Sequence, residues 1–251
     1  MTVALIIFSG LLGLIVGSFL NVCIDRLPAK KSLAYPPSHC DACQHPLQIL
    51  DLIPVVSYLW LRGKCRYCGA KIPQRILWVE LSTGILFAFL FWRYELTWEF
   101  PLIAFYSCIL LVLAFIDLQH KLILNVIVYP AAVIAFIVGF FIPDFDVYKG
   151  VLGGAIGFAI LMLPALISRR GMGWGDVKMA GLIGLMTGYP RVIAGLFLGI
   201  LSGGLIAITL LIFRKKSRKD AIPFGPFLAL GAFIALIYGQ EIIDWYLSLF
   251  I

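Results

Sequence analysis

Charge is scarce in this chain. Only 13% of its 251 residues are Asp, Glu, Lys or Arg, while 62% are hydrophobic. A soluble domain of this length does not carry that balance. Polar stretches are equally few: residues 25–76 alone are long and polar enough to form an extramembrane module. Alternation of polar and apolar residues is missing as well. The apolar runs are continuous, which argues against a transmembrane β-barrel. The N-terminal "MTVALIIFSG" has no basic residues ahead of its apolar run, and no A-x-A pattern precedes Cys23. It therefore reads as a retained first membrane helix, not a removed signal peptide.

What is present is a series of apolar runs near the length of roughly 17–25 residues that a membrane crossing needs. They predict helices near 3–24, 77–92, 101–117, 126–142, 150–167, 177–189, 191–213 and 222–239. The second and sixth are short. The fold class is an all-α polytopic membrane protein with about eight transmembrane helices and one small insert. The domain reading is a first transmembrane helix at 1–24, an insert at 25–76 and a helical core at 77–251.

With eight crossings, the basic residues collect on one side. That side receives Arg26, Lys30, Lys31, Arg62, Lys64, Arg66, Lys71 and Arg75, then Lys121, Arg169, Arg170, Lys178 and the run "RKKSRKD" at 214–220. The other side receives Arg93, Lys149 and Arg191. The positive-inside rule makes the basic side cytoplasmic and puts both termini outside. The net charge of +7 thus belongs to topology and to contact with membrane lipid. It does not point to nucleic acid.

The insert carries "CDAC" at 40–43 and "CRYC" at 65–68. Two C-x2-C knuckles can set four sulfurs around a tetrahedral zinc, so Cys40, Cys43, Cys65 and Cys68 are candidate ligands. Disulfides or free thiols are the rival readings. A reducing cytosol disfavours disulfides. Four thiolates close the shell, which gives the zinc a structural role, and an insert of this size has little core of its own to do without it. His39 and His45 flank the first knuckle and offer alternative ligands, but four cysteines suffice and the two read as exposed loop histidines. Cys23 and Cys108 lie in apolar runs and read as small buried residues.

Three carboxylates stand in or beside apolar runs: Glu80, Asp117 and Asp176. A central aspartate costs about 2.5–3.5 kcal/mol on insertion scales. In the eight-helix topology, Asp117 and Asp176 fall at the cytoplasmic ends of their helices, at one depth. Two close carboxylates cannot both ionise easily, so one keeps a proton and the other stays charged. Such a pair can activate one water against a peptide carbonyl. Gly173 and Gly175, just ahead of Asp176, would let the backbone bend and an extended substrate approach. A cation or proton site in a transporter uses the same residue types, and a lone acidic residue at a helix end often only faces the headgroups. Gly150/Gly154, Gly153/Gly157 and Gly195/Gly199/Gly203 have the small-xxx-small spacing of close helix packing.

Five stretches, in one order, resemble the bacterial type IV prepilin peptidases, also called leader peptidase/N-methyltransferases. They are "GSFLNVCIDRLP" (17–28), the cysteine-bearing segment 38–72, "AFIDLQHKLI" (114–123), "GMGWGDVKMAG" (171–181) and "IPFGPFLALGA" (222–232). The resemblance implies a G-x-G-D aspartic protease of the bacterial inner membrane, with Asp117 and Asp176 at the catalytic positions and Gly173 and Gly175 in the motif. It implies prepilin and pseudopilin substrates of type IV pili, type II secretion or competence systems. Cleavage would follow a glycine at the end of a short basic leader. It further implies S-adenosylmethionine as donor for N-methylation of the new terminus, an activity tied to the insert. Glu80 matches an acidic position that would contact the leader or pair with Arg75. Leu124-Asn125 and Arg75-Ile76-Leu77 depart from the Pro-Asp (or Pro-Asn) and Arg-Tyr-Pro sequences frequent at these places. A peptidase without methyltransferase activity, an ion-coupled transporter and a zinc-bearing scaffold are the alternatives.

Overall fold

The computed structural model describes residues 2–141, 146–167, 173–213 and 222–249. The basic run 214–220, Arg169, Arg170 and Gly171 lie outside them. Among the described residues all regular structure is helical, apart from two isolated β-bridges in the insert. The helices are α1 (Thr2–Arg26), α2 (Val56–Trp60), α3 (Gln74–Tyr94), α4 (Glu99–His120), α5 (Asn125–Phe141), α6 (Val147–Ile167), α7 (Trp174–Thr187), α8 (Arg191–Ile212) and α9 (Gly225–Ser248). A 3-10 turn, Ile49–Asp51, precedes α2. Six of them, α1, α3, α4, α6, α8 and α9, are long and apolar enough to cross a membrane, and α5 is a shorter apolar helix. The protein is a multi-pass membrane protein.

The eight long helices match the eight apolar runs, with shifted ends. Helix α9 runs on to Ser248, beyond the expected stop at 239. The polar residues there do not end it, because Gln240 Nε2 donates to Asp244 Oδ1 at 2.9 Å, one turn along. Helix α7 begins at Trp174, three residues earlier than expected, with Gly173 as its N-cap. The short helix α2 was not anticipated; five residues carry no detectable period.

The chain forms two compact units, Met1–Cys108 and Ile109–Ile251, with the boundary inside α4. In the first, α1 and α3 pack closely. A Cβ on Gly17 would stand 2.8 Å from the Cα of Glu80, and one on Gly13 would stand 2.6 Å from the carbonyl oxygen of Thr83. Glycine is therefore what lets the two backbones approach. Polar side chains fasten the pair: Ser9 donates to the Phe87 carbonyl at 3.0 Å and Asn21 to the Ile76 carbonyl at 3.1 Å. With no water in the bilayer core, buried hydroxyls and amides need such partners.

In the second unit the small-xxx-small glycines do what their spacing predicts. Gly153 and Gly157 face α7, where added Cβ atoms would press into the carbonyls of Gly184 and Ala180. Gly195 and Gly199 bring α8 onto α9 in the same way, against Ala235 and Phe227. Cys23 and Cys108 are buried in their helices, as expected.

Candidate active site

Asp117 and Asp176 lie in the second unit. Asp117 sits in the last turn of α4 and is buried, at 4% exposure. Asp176 occupies the first turn of α7, where its N–H donates to the carbonyl of Gly173 at 3.1 Å. The charge of Asp117 reaches Asp176, 59 positions further along the chain.

A third element joins them. The backbone N–H of Gly225, the first residue of α9, donates to Oδ2 of Asp117 at 2.8 Å. The opening N–H groups of a helix have no intrahelical partner, so this end of α9 is a ready donor to an acidic side chain. A Cβ on Gly225 would stand 2.8 Å from that same Oδ2. Sequence reading attached no role to Gly225; its signal was the stretch "IPFGPFLALGA", which carried a resemblance but no chemistry.

The two G-x-G-D glycines stand in different surroundings. Gly173 has φ −78° and ψ 142°, ordinary extended backbone open to any residue. Gly175 is the constrained one. Its Cβ would meet Cβ of Ile123 at 2.8 Å, so only glycine lets α7 start this close to the segment that leaves α4. Two residues beyond Asp176, Lys178 donates to Asn125 Oδ1 at 3.1 Å and lies over the Tyr129 ring. Asn125, in one of the two departures from the family pattern, thus ties α5 to α7.

Glu80 belongs to the first unit. It is buried, at 5% exposure, and accepts hydrogen bonds from the Val55 N–H at 2.7 Å and from the Ser18 hydroxyl. Arg75 forms an ion pair with Asp25 at 2.7 Å.

The insert brings its four cysteines together. The sulfurs of Cys40, Cys43, Cys65 and Cys68 all lie within 4.8 Å of one another, with Cys40 and Cys68 at 3.8 Å. Tetrahedral zinc with Zn–S near 2.3 Å requires sulfurs about 3.8 Å apart. The two knuckles repeat one backbone pattern. Cys40 N–H donates to the His45 carbonyl and Gln44 N–H to the Cys40 carbonyl; Cys65 N–H donates to Ala70 and Gly69 N–H to Cys65. Gln44 and Gly69 both turn through positive φ, 57° and 71°.

The Cys40 thiol is pulled down to about 7 by hydrogen bonds from the backbone N–H groups of Cys43 and Ala42, which favour the metal-binding thiolate. At Cys68 the Ala70 amide pulls the same way. Burial and hydrogen bonds with Cys43, Cys65 and Cys40 outweigh it and push that thiol to about 12. Four crowded sulfurs do not all ionise without a cation among them. The histidines are held elsewhere. His39 Nδ1 lies 3.0 Å from the Pro37 carbonyl oxygen, and His45 stacks on Tyr67 at 3.7 Å. Asp51 gathers the second knuckle through Arg66 at 2.8 Å and the Tyr67 hydroxyl at 3.1 Å.

Residues 11–94 match the bacterial peptidase A24 N-terminal domain, and residues 102–208 match the type IV leader peptidase family. A prepilin leader peptidase/N-methyltransferase of Pseudomonas aeruginosa is 31% identical, over 98% of this chain and 94% of its own. The chain belongs to the type IV leader peptidase family. Family relatives with the same description in Bacillus subtilis and Aeromonas salmonicida are 34% and 32% identical. The first alignment covers 94% of this chain and 96% of the relative, the second 95% and 92%. No solved structure matches the chain.

Proposed function

We propose that this protein is a membrane aspartic endopeptidase of the bacterial inner membrane. It removes the short basic leader of type IV prepilins and pseudopilins at the cytoplasmic face and then N-methylates the new terminal residue. What supports this reading is that the charge of Asp117 reaches Asp176, while the amide of Gly225 holds Asp117.

In the proposed reaction, one carboxylate is ionised and the other protonated. The ionised one takes a proton from water as the water oxygen attacks the scissile carbonyl carbon. The protonated one donates a hydrogen bond to the carbonyl oxygen. As the tetrahedral intermediate collapses, the C–N bond breaks and the departing amine takes up a proton from the pair. The titration belongs to the pair, so neither aspartate alone is the acid. Gly225 N–H fixes Oδ2 of Asp117 and leaves its other oxygen for water or substrate.

The methyl group of the second step would come from S-adenosylmethionine, accepted by the amine that cleavage exposes. Zinc fits the four-sulfur set of Cys40, Cys43, Cys65 and Cys68 and would hold the two knuckles together, a structural role with no open position for chemistry. Glu80 accepts from the Val55 N–H and, on this reading, also contacts the leader.

The test is incubation of the purified protein in lipid with a prepilin, with and without S-adenosylmethionine, followed by mass measurement of the product. Leader loss in both samples, with one added methyl only when the donor is present, is the expected result. An intact prepilin refutes the peptidase assignment. A cleaved but unmethylated product refutes the second activity alone.

A further inference from the structure

The insert exposes a row of large apolar side chains. Val56, Leu59 and Trp60 fall at i, i+3 and i+4 on α2, and their exposures are 56%, 61% and 82%. Positions so spaced share one face of a helix. Ile49 and Leu50, on the preceding 3-10 turn, add 84% and 58% exposure. The other side of α2 is less open: Ser57, Tyr58 and Leu61 are only half-buried. Five large apolar side chains this close together, on a module of about 50 residues, mark a surface made to be covered.

The depth of this surface is set by a hydrogen bond. Val55, which leads into α2, donates its N–H to Glu80 at 2.7 Å. Glu80 lies six residues inside α3, which begins at Gln74, so its level is about 9 Å along the helix axis. Across from it stands Gly17 of α1, nine residues before the end of that helix at Arg26, or about 13 Å. Both helices are apolar spans of membrane length. Val55 therefore lies beside the spans, about 9–13 Å short of the helix ends at Gln74 and Arg26. It does so with φ 62° and ψ −49°, a conformation that a β-branched residue adopts only when its surroundings impose it.

Charge follows the same plan. Residues 25–76 hold eight Lys and Arg against three Asp. Exposed Arg62 and Lys64 come directly after the apolar row. An apolar face with a basic rim, pinned near the ends of two spans, is what binds the headgroup and acyl boundary of an anionic bilayer.

We infer that the face formed by Ile49, Leu50, Val56, Leu59 and Trp60 is a membrane-docking surface, seated in the phospholipid leaflet into which α1 and α3 run. The insert then lies on the bilayer, with Trp60 at the interface where amphipathic indoles settle.

The test uses the full chain in bilayer discs of phosphatidylethanolamine and phosphatidylglycerol, made with plain or brominated acyl chains. The Trp60 signal is the fluorescence of the wild type minus that of Trp60→Phe. Trp78, exposed on α3 near its start, supplies a comparison through Trp78→Phe. The expected result is a Trp60 signal quenched in brominated lipid to about the extent of the Trp78 signal. Equal Trp60 signals in plain and brominated lipid overturn the inference. A Trp60 signal that ignores brominated lipid but shifts when an apolar helical peptide is added also overturns it, and assigns the face to a peptide partner.

Discussion

Gly225 and Asp117 are 108 positions apart, yet the amide of one holds the carboxylate of the other at 2.8 Å. Replacing Gly225 with Ala puts a methyl group 2.8 Å from Oδ2, closer than van der Waals contact allows. The carboxylate must rotate or α9 must withdraw, and displacement of a reacting group by about 1 Å costs on the order of 100-fold. Gly225→Ala is therefore expected to cut leader removal by roughly 10–100-fold. Methylation of a synthetic, already cleaved pilin terminus should be untouched. Comparing the two rates on one preparation checks it, and equal losses would point to general misfolding.

Asp117→Asn and Asp176→Asn should each lower cleavage by about 100-fold to 10,000-fold or more, since acid–base partners contribute on that scale. Both variants should insert and fold, because a neutral amide is cheaper to bury than a lone carboxylate. Gel-filtration profile and thermal unfolding in detergent check the second claim. Wild-type cleavage by either variant would end the aspartate mechanism.

Leader removal should follow a bell-shaped pH profile. In acid, the carboxylate that takes the proton from water is itself protonated and the rate falls. In alkali, its partner loses the proton it must donate and the rate falls again. Measurement of kcat/KM across pH decides it. A rate that is flat through the carboxylate range contradicts a shared-proton pair.

Loss of metal should act on the first unit. Cys65→Ser, or treatment with a strong chelator, is expected to raise protease sensitivity between residues 25 and 76 and to release one zinc per chain. Methyl transfer should suffer more than cleavage, since Asp117 and Asp176 belong to the other compact unit. Equal loss of both activities would show that the insert also supports cleavage. A metal-free preparation with a folded insert and full methyl transfer would remove zinc from the account.

Topology gives a further expectation. Reporter fusions at Lys30 should read cytoplasmic, and fusions at Leu96, between α3 and α4, should read external. The reverse pattern would invert the protein and place the aspartate pair on the outer face.

The helices were legible because the apolar runs are continuous and the interruptions between them polar. The four cysteines were legible because a C-x2-C knuckle is local, and two of them suffice to define a tetrahedral set. The support of Asp117 was not legible. A backbone amide leaves no trace in residue type, and "FGPF" does not say which carboxylate, 108 positions away, will meet it. Gly175 was noticed but given a different reason, since the side chain it makes room for, Ile123, lies on another segment. Val55 was invisible for the opposite cause: its residue type argues against the conformation that Glu80 holds it in.

Helix α7 has 14 residues, which rise about 21 Å against a hydrocarbon layer of about 30 Å. It cannot reach both surfaces unaided. Its neighbours α5, α6, α8 and α9 bury most of it, so protein rather than lipid surrounds it over its length. A helix so enclosed is free to be shorter than its membrane, and the carboxylate in its first turn, Asp176, meets protein groups rather than acyl chains.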